Sequence, residues 1–163
     1  MGEPIEPEIH FYQNLDSASK ALAKKLLKTI LDITKEKKRF TFALAGGNTP
    51  KHLYKLLAKH YSSQLPWSLI HLFWGDERYV LKDHPESNYN MAYNTLIEKA
   101  PIPPPNVHRI PTEIRPLEKA AQAYEIQLRE FFSTTASNAF DLILLGMGED
   151  GHTASLFPKS PVL

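Results

Sequence analysis

Near the end of this 163-residue chain, Gly146-Met-Gly-Glu-Asp-Gly-His-Thr153 places two acids, a histidine and a hydroxyl directly after an apolar run. A neutral imidazole is basic enough to take a proton from water near pH 7, and a carboxylate two positions earlier can orient it where the chain turns. His152 and Asp150 are therefore acid–base candidates, weighed against the equally ordinary reading of a polar loop that ends a strand. Two other segments carry comparable chemistry. In Trp74-Gly-Asp-Glu-Arg78, extended alternation sends Asp76 and Arg78 to one side and Glu77 to the other, although an Arg beside acids is often a plain ion pair. In Ala45-Gly-Gly-Asn-Thr-Pro50, Gly46 and Gly47 allow close backbone approach, while Asn48 and Thr49 open a helix whose unpaired amides suit a phosphate. The same loop also reads as turn chemistry, and it matches neither the P-loop lysine pattern nor GxGxxG.

Composition narrows the chemistry. The chain has no cysteine, which removes disulfides, thiolate metal sites and thiol nucleophiles together. Asp76, Asp150 and His152 are conceivable metal donors, but no paired-histidine spacing occurs and His71, His84 and His108 fall on separate elements, so no metal is expected. No G-x-S-x-G elbow is present either. With 42% apolar and 23% charged residues and a net charge of +1, the chain reads as one soluble domain over residues 1–163, with no nucleic-acid or membrane partner expected. No apolar stretch approaches the roughly 20 residues of a membrane span, and the opening MGEPIEPE lacks the features of a signal peptide, so a cytoplasmic location is expected.

The elements that must position these loops alternate between strand and helix. A short strand is expected around Ile9 to Tyr12, then a helix capped by Asp16 with apolar positions Leu22, Leu26, Ile30 and Ile33. Phe40 to Ala45 reads as a strand, and Thr49-Pro50 as cap and first residue of a helix from Lys51 to His60. Leu69 to Trp74 is a second strand, followed by an ordered polar loop and a helix from Ser87 to Lys99. After the proline connector 100–105 come a weak strand at Val107 to Ile110, a helix from Leu117 to Phe132, and a continuous apolar run, Phe140 to Leu145, of the kind buried on both faces. The pattern predicts an α/β fold, Rossmann-like, with an open and mainly parallel sheet and helices on both faces. All three unusual loops follow strands, so they should meet at the carboxyl edge, where ligands bind in such sheets.

Taken together, Ala45 to Pro50, Trp74 to Arg78 with His84-Pro-Glu-Ser-Asn-Tyr89, and Leu145 to Pro158 resemble the three signature segments of the 6-phosphogluconolactonases, a family whose wider group includes glucosamine-6-phosphate deaminase. Asn48, Glu86 and Asn90 depart from the residues common there. The resemblance implies hydrolysis of 6-phosphoglucono-δ-lactone to 6-phosphogluconate in the oxidative pentose phosphate pathway, without a cofactor. It also implies that relatives continue past the last segment, so the chain is expected to be C-terminally incomplete relative to the family. On this reading His152 is the general base, Asp150 orients it, Arg78 meets either the oxyanion or the phosphate, and Gly46, Gly47, Asn48 and Thr49 hold the phosphate. The partner is a small sugar-phosphate lactone; oligomeric state stays open, a monomer being admissible. Two alternatives remain: a deaminase-like isomerase using Asp76 as base, and a catalytically silent sugar-phosphate binding module.

Overall fold

Phe40–Leu44 (β1) and Ile70–Trp74 (β2) are almost fully buried five-residue strands, and their parallel pairing runs in register from Phe40 opposite Ile70 to Leu44 opposite Trp74. Val107–His108 (β3) adds to the outer side of β2 and Leu142–Ile143 (β4) to the outer side of β1, giving a parallel sheet of order β3-β2-β1-β4. The computed structural model describes residues 6–133, 138–161 and 163; the first five residues of the acidic opening lie outside them.

Side-chain alternation divides this sheet between two helical layers. Phe40, Phe42, Leu44, Ile70, Leu72 and Trp74 face one core. It is closed by Ala23, Leu26 and Ile30 of Leu15–Lys37 (α1), Leu53 and Tyr54 of Asn48–Leu56 (α2), and Ala92 of Asn88–Thr95 (α3). On the opposite face Phe73 meets Phe131 of Leu117–Ser133 (α4), with ring centroids 5.0 Å apart. Helices therefore cover both faces, as the alternating pattern requires. Each fully buried Leu, Ile or Phe here contributes about 1.5–3 kcal/mol relative to exposure.

Several local expectations are corrected. Residues 9–12 form no strand, and Phe11 is 92% exposed; a lone apolar run without a partner gains nothing from the ladder. The cap of α1 is Asn14, whose side chain accepts from the Ser17 amide at 2.9 Å, while Asp16 sits in the first turn and pairs with Lys20. Gly47, at φ 98°, starts α2 in place of Thr49, and a π-helical turn at Leu57–Tyr61 prolongs that helix. A single 3-10 turn, Trp67–Leu69, precedes β2, and α3 ends at Thr95, before a further such turn at Ile97–Lys99.

The largest correction concerns the run Phe140 to Leu145. Only two residues pair as β4, and Ile143 is half exposed, because among the described residues β4 has a neighbouring strand on one side only. A polar staple secures it: the buried carboxylate of Asp141 accepts from the Thr41 amide and hydroxyl, both at 2.8 Å, and forms an ion pair with Lys37 at 2.6 Å.

Candidate functional site

The three loops leave the carboxyl ends of β1, β2 and β4 and surround one cavity of about 450 Å³. Two tyrosines fix where the first two loops begin. Tyr54 of α2 donates to the Ala45 carbonyl at 2.9 Å and accepts from its amide at 3.0 Å; Tyr124 of α4 makes the equivalent pair of bonds to Trp74. Burial raises both phenols, Tyr124 to about 12, so each remains a neutral O–H that donates and accepts at once.

In the first loop, Gly46, Gly47, Asn48 and Thr49 all line the cavity. Gly47 holds the positive φ that lets the backbone turn straight into α2, so the Asn48 and Thr49 amides open the helix toward the cavity without a side-chain cap. Gly46 is required for another reason: a Cβ there would lie 1.9 Å from Asn88 Oδ1.

The second loop divides as alternation requires. Asp76 and Arg78 line the cavity; Glu77 does not. The Glu77 carboxylate instead accepts from the amides of Asn88 at 2.6 Å, Tyr89 at 2.8 Å and Arg78 at 2.7 Å, and from the Ser87 hydroxyl at 3.0 Å. It neutralises the start of α3, which has no acid of its own in the first turn. Among the described residues the Arg78 guanidinium makes no hydrogen bond or ion pair, which leaves an exposed, uncommitted cation at the cavity.

In the third loop, His152 Nδ1 lies 2.5 Å from Asp150 Oδ1, and the same oxygen accepts the His152 amide at 3.1 Å. The bond from His152 holds the Asp150 carboxyl below the usual carboxylate range. An ionised carboxylate accepts only, so the neutral ring carries its proton on Nδ1 and its basic lone pair on Nε2. Phe157 stacks on the ring at 4.5 Å, and Gly148 supports it from beneath, where a Cβ would meet the ring at 2.2 Å. His152 lines the cavity and Asp150 stands behind it. Ser155 then ties this loop to the second by donating to Asp76 Oδ2 at 2.6 Å.

Gly46, Gly47, Asn48, Thr49, Asp76, Arg78 and His152 thus line one cavity, with Asp150 bonded to His152 behind it, whereas Glu77, His71, His84 and His108 do not line it. Sequence reasoning missed the Glu77 cap, Ser155, the apolar wall formed by Ala18 and Leu22 of α1, and Asn88. A serine before a helix with no first-turn acid was the readable sign that Glu77 would be drawn there. Among the described residues no group of three or more His, Asp or Glu forms a metal cluster, and no helix is long and apolar enough to cross a membrane.

The model of the family described as glucosamine-6-phosphate isomerases/6-phosphogluconolactonase matches residues 13–163. The chain belongs to this family. A 6-phosphogluconolactonase of Synechocystis is 53% identical over 130 residues, covering 78% of this chain and 53% of that protein. A 6-phosphogluconolactonase of Nostoc is 47% identical over 141 residues, covering 85% and 58%. The solved 6-phosphogluconolactonase of Trypanosoma cruzi superposes with a TM-score of 0.83 at 32% identity, covering 96% of this chain and 64% of that one. The chain therefore spans a little over half the length of these curated relatives. Within the glucosamine-6-phosphate isomerase/6-phosphogluconolactonase family, the shared part includes all three loops of the cavity.

Proposed function

We propose that the chain carries the catalytic loops of a 6-phosphogluconolactonase, a hydrolase of the pentose phosphate pathway, acting on a small sugar-phosphate lactone in the cytoplasm. The observation that carries this reading is the Asp150–His152 pair, standing at the same cavity as the amide-rich start of α2 and the uncommitted Arg78. A phosphate at Gly46 to Thr49 uses the helix amides and the Thr49 hydroxyl, and that remote binding energy holds the lactone carbon near His152.

In the first step His152 Nε2 takes a proton from water as the water oxygen bonds to the lactone carbonyl carbon, whose π electrons move onto oxygen. Asp150 stabilises the resulting imidazolium, and Arg78 meets the oxyanion or the phosphate. The alkoxide then collapses, the bond from that carbon to the ring oxygen breaks, and the imidazolium returns its proton to the departing oxygen. The product is the open-chain acid. Water, proton and leaving group are all accounted for without a cofactor.

The isomerase activity in the family's name would use an unencumbered acid after β2. Asp76 is bonded instead to Ser155 and Asn88, which favours the lactonase. The test is the rate of hydrolysis of freshly generated 6-phosphoglucono-δ-lactone above its spontaneous background. His152→Ala is expected to lower turnover about 10²- to 10⁴-fold with 6-phosphogluconate affinity little changed. Near-full activity in that variant removes His152 from the mechanism; turnover of glucosamine 6-phosphate in place of the lactone reverses the choice of substrate.

A further inference from the structure

The Asn88 side chain has an orientation that its neighbours dictate. It is 5% exposed, yet it lines the cavity. Its Nδ2 donates to the Asp76 main-chain carbonyl at 3.1 Å and to Asp76 Oδ1 at 3.2 Å. Both partners accept only, so the amide nitrogen must face Asp76 and the oxygen must face the other way. That oxygen lies over Gly46, where even one methyl group would collide with it, and no hydrogen bond reaches it from the described residues. The backbone is held as firmly: the Asn88 amide is bound by Glu77 at 2.6 Å, and the Ser87 hydroxyl caps the turn by accepting from the Asn90 amide.

Asn88 Oδ1 is thus an oriented acceptor on a residue that lines the cavity, and it is not among the buried polar atoms sealed without a partner, so it stays open to a donor that enters there. From these positions we infer that Asn88 Oδ1 is a substrate contact, accepting a hydrogen bond from one hydroxyl of the sugar ring and selecting for that hydroxyl's presence and configuration. The inference rests on the sugar-phosphate reading above and adds to it the residue that reads the polyol. Gly46 serves two ligand groups at once: its backbone borders the phosphate loop, and its missing side chain makes room for the Asn88 oxygen.

The test uses 6-phosphogluconate and its 2-deoxy, 3-deoxy and 4-deoxy analogues, each lacking one of the hydroxyls that remain on the lactone ring, with affinity measured by calorimetry and hydrolysis of the matching lactones measured separately. The wild-type chain should bind one deoxy analogue about 10- to 100-fold more weakly than the parent, the expected loss for one unfulfilled buried hydrogen bond. Asn88→Leu should weaken the parent and abolish discrimination against that same analogue, while leaving discrimination at the other hydroxyls intact. A general loosening of the site would weaken all analogues alike. If Asn88→Leu does not fold, as judged by near-ultraviolet circular dichroism, Asn88→Ala gives the same comparison with no added bulk. Unchanged discrimination in the folded variant overturns the role of Asn88 and leaves the lactonase reading standing. Wild-type chain that binds none of these sugar phosphates overturns both. Binding with the expected discrimination but without lactone hydrolysis supports the Asn88 contact and removes the lactonase activity of this chain.

Discussion

Ser155 donates its hydroxyl to Asp76 at 2.6 Å, joining two loops that stand 79 residues apart in the chain. Asp76 receives Asn88 on its other carboxylate oxygen, so one acid couples the second loop, the start of α3 and the loop that carries His152. The Ser155→Ala variant should therefore lose about tenfold in kcat/KM for the lactone through misplacement of His152, since small displacements of catalytic groups are costly. Unfolding should shift by no more than about 0.5 kcal/mol, because the bond is exposed. Steady-state kinetics beside urea denaturation checks both; unchanged kinetics would show that His152 is positioned within its own loop alone.

Gly148 offers a sharper test of that loop. Its added Cβ would overlap the His152 ring at 2.2 Å and approach Asp150 Oδ1 at 2.9 Å. Gly148→Ala should force the ring off its carboxylate and lower turnover at least tenfold, while the melting temperature stays within a few degrees because no core residue is touched. The imidazole resonance in NMR reports the displacement directly: a His152 signal that still shows the bond to Asp150 would contradict the expectation.

A pair of histidines away from the cavity should make stability depend on pH in acid. His71 Nδ1 and His108 Nε2 lie 3.1 Å apart beneath α4, against Phe73 and Phe131. Burial lowers both groups, His108 to about 4, and the charge of Arg39 contributes at His71. An unfolded histidine titrates near 6.5. Between about 6.5 and 4 the unfolded chain binds a proton that native His108 refuses, and lowered His71 acts in the same direction, so the His108 contribution is complete above pH 6.5 and is lost as pH falls toward 4. The melting temperature should fall from pH 7.5 to pH 5.5 in the wild-type chain and fall less in His108→Gln. Equal falls would place the acid sensitivity elsewhere.

Much of the site was legible in the sequence because turn chemistry is local. A glycine pair after a buried strand, an acid and an arginine at alternating positions, and a histidine two residues from an aspartate are each properties of a few adjacent residues. The observed layers reproduce the expected parallel sheet with helices on both faces for a similar reason, since strand and helix periods are written along the chain. Ends of elements were less legible. Asn14 caps α1 because Ser17 answers it, and Gly47 replaces Thr49 at the start of α2 because only glycine takes its positive φ freely.

What the sequence determined by itself was the order of the elements, the chemistry available without cysteine, and the loops in which that chemistry sits. Tertiary structure alone decided which of those groups remain available to a ligand. Glu77 and Asp76 are neighbouring acids, yet one is consumed by the amides of α3 away from the cavity, whereas the other lines the cavity while bonded to Asn88 and Ser155. Asn88 acquires its orientation from Asp76 and its space from Gly46, 42 residues away in number and adjacent only once β1 and β2 pair. Likewise Phe140 to Leu145 carries the composition of a central strand but has a strand on one side only among the described residues, and burial depends on which strands lie beside it. Local propensity selects an element, whereas the partners that use up or free its polar groups come from distant parts of the chain.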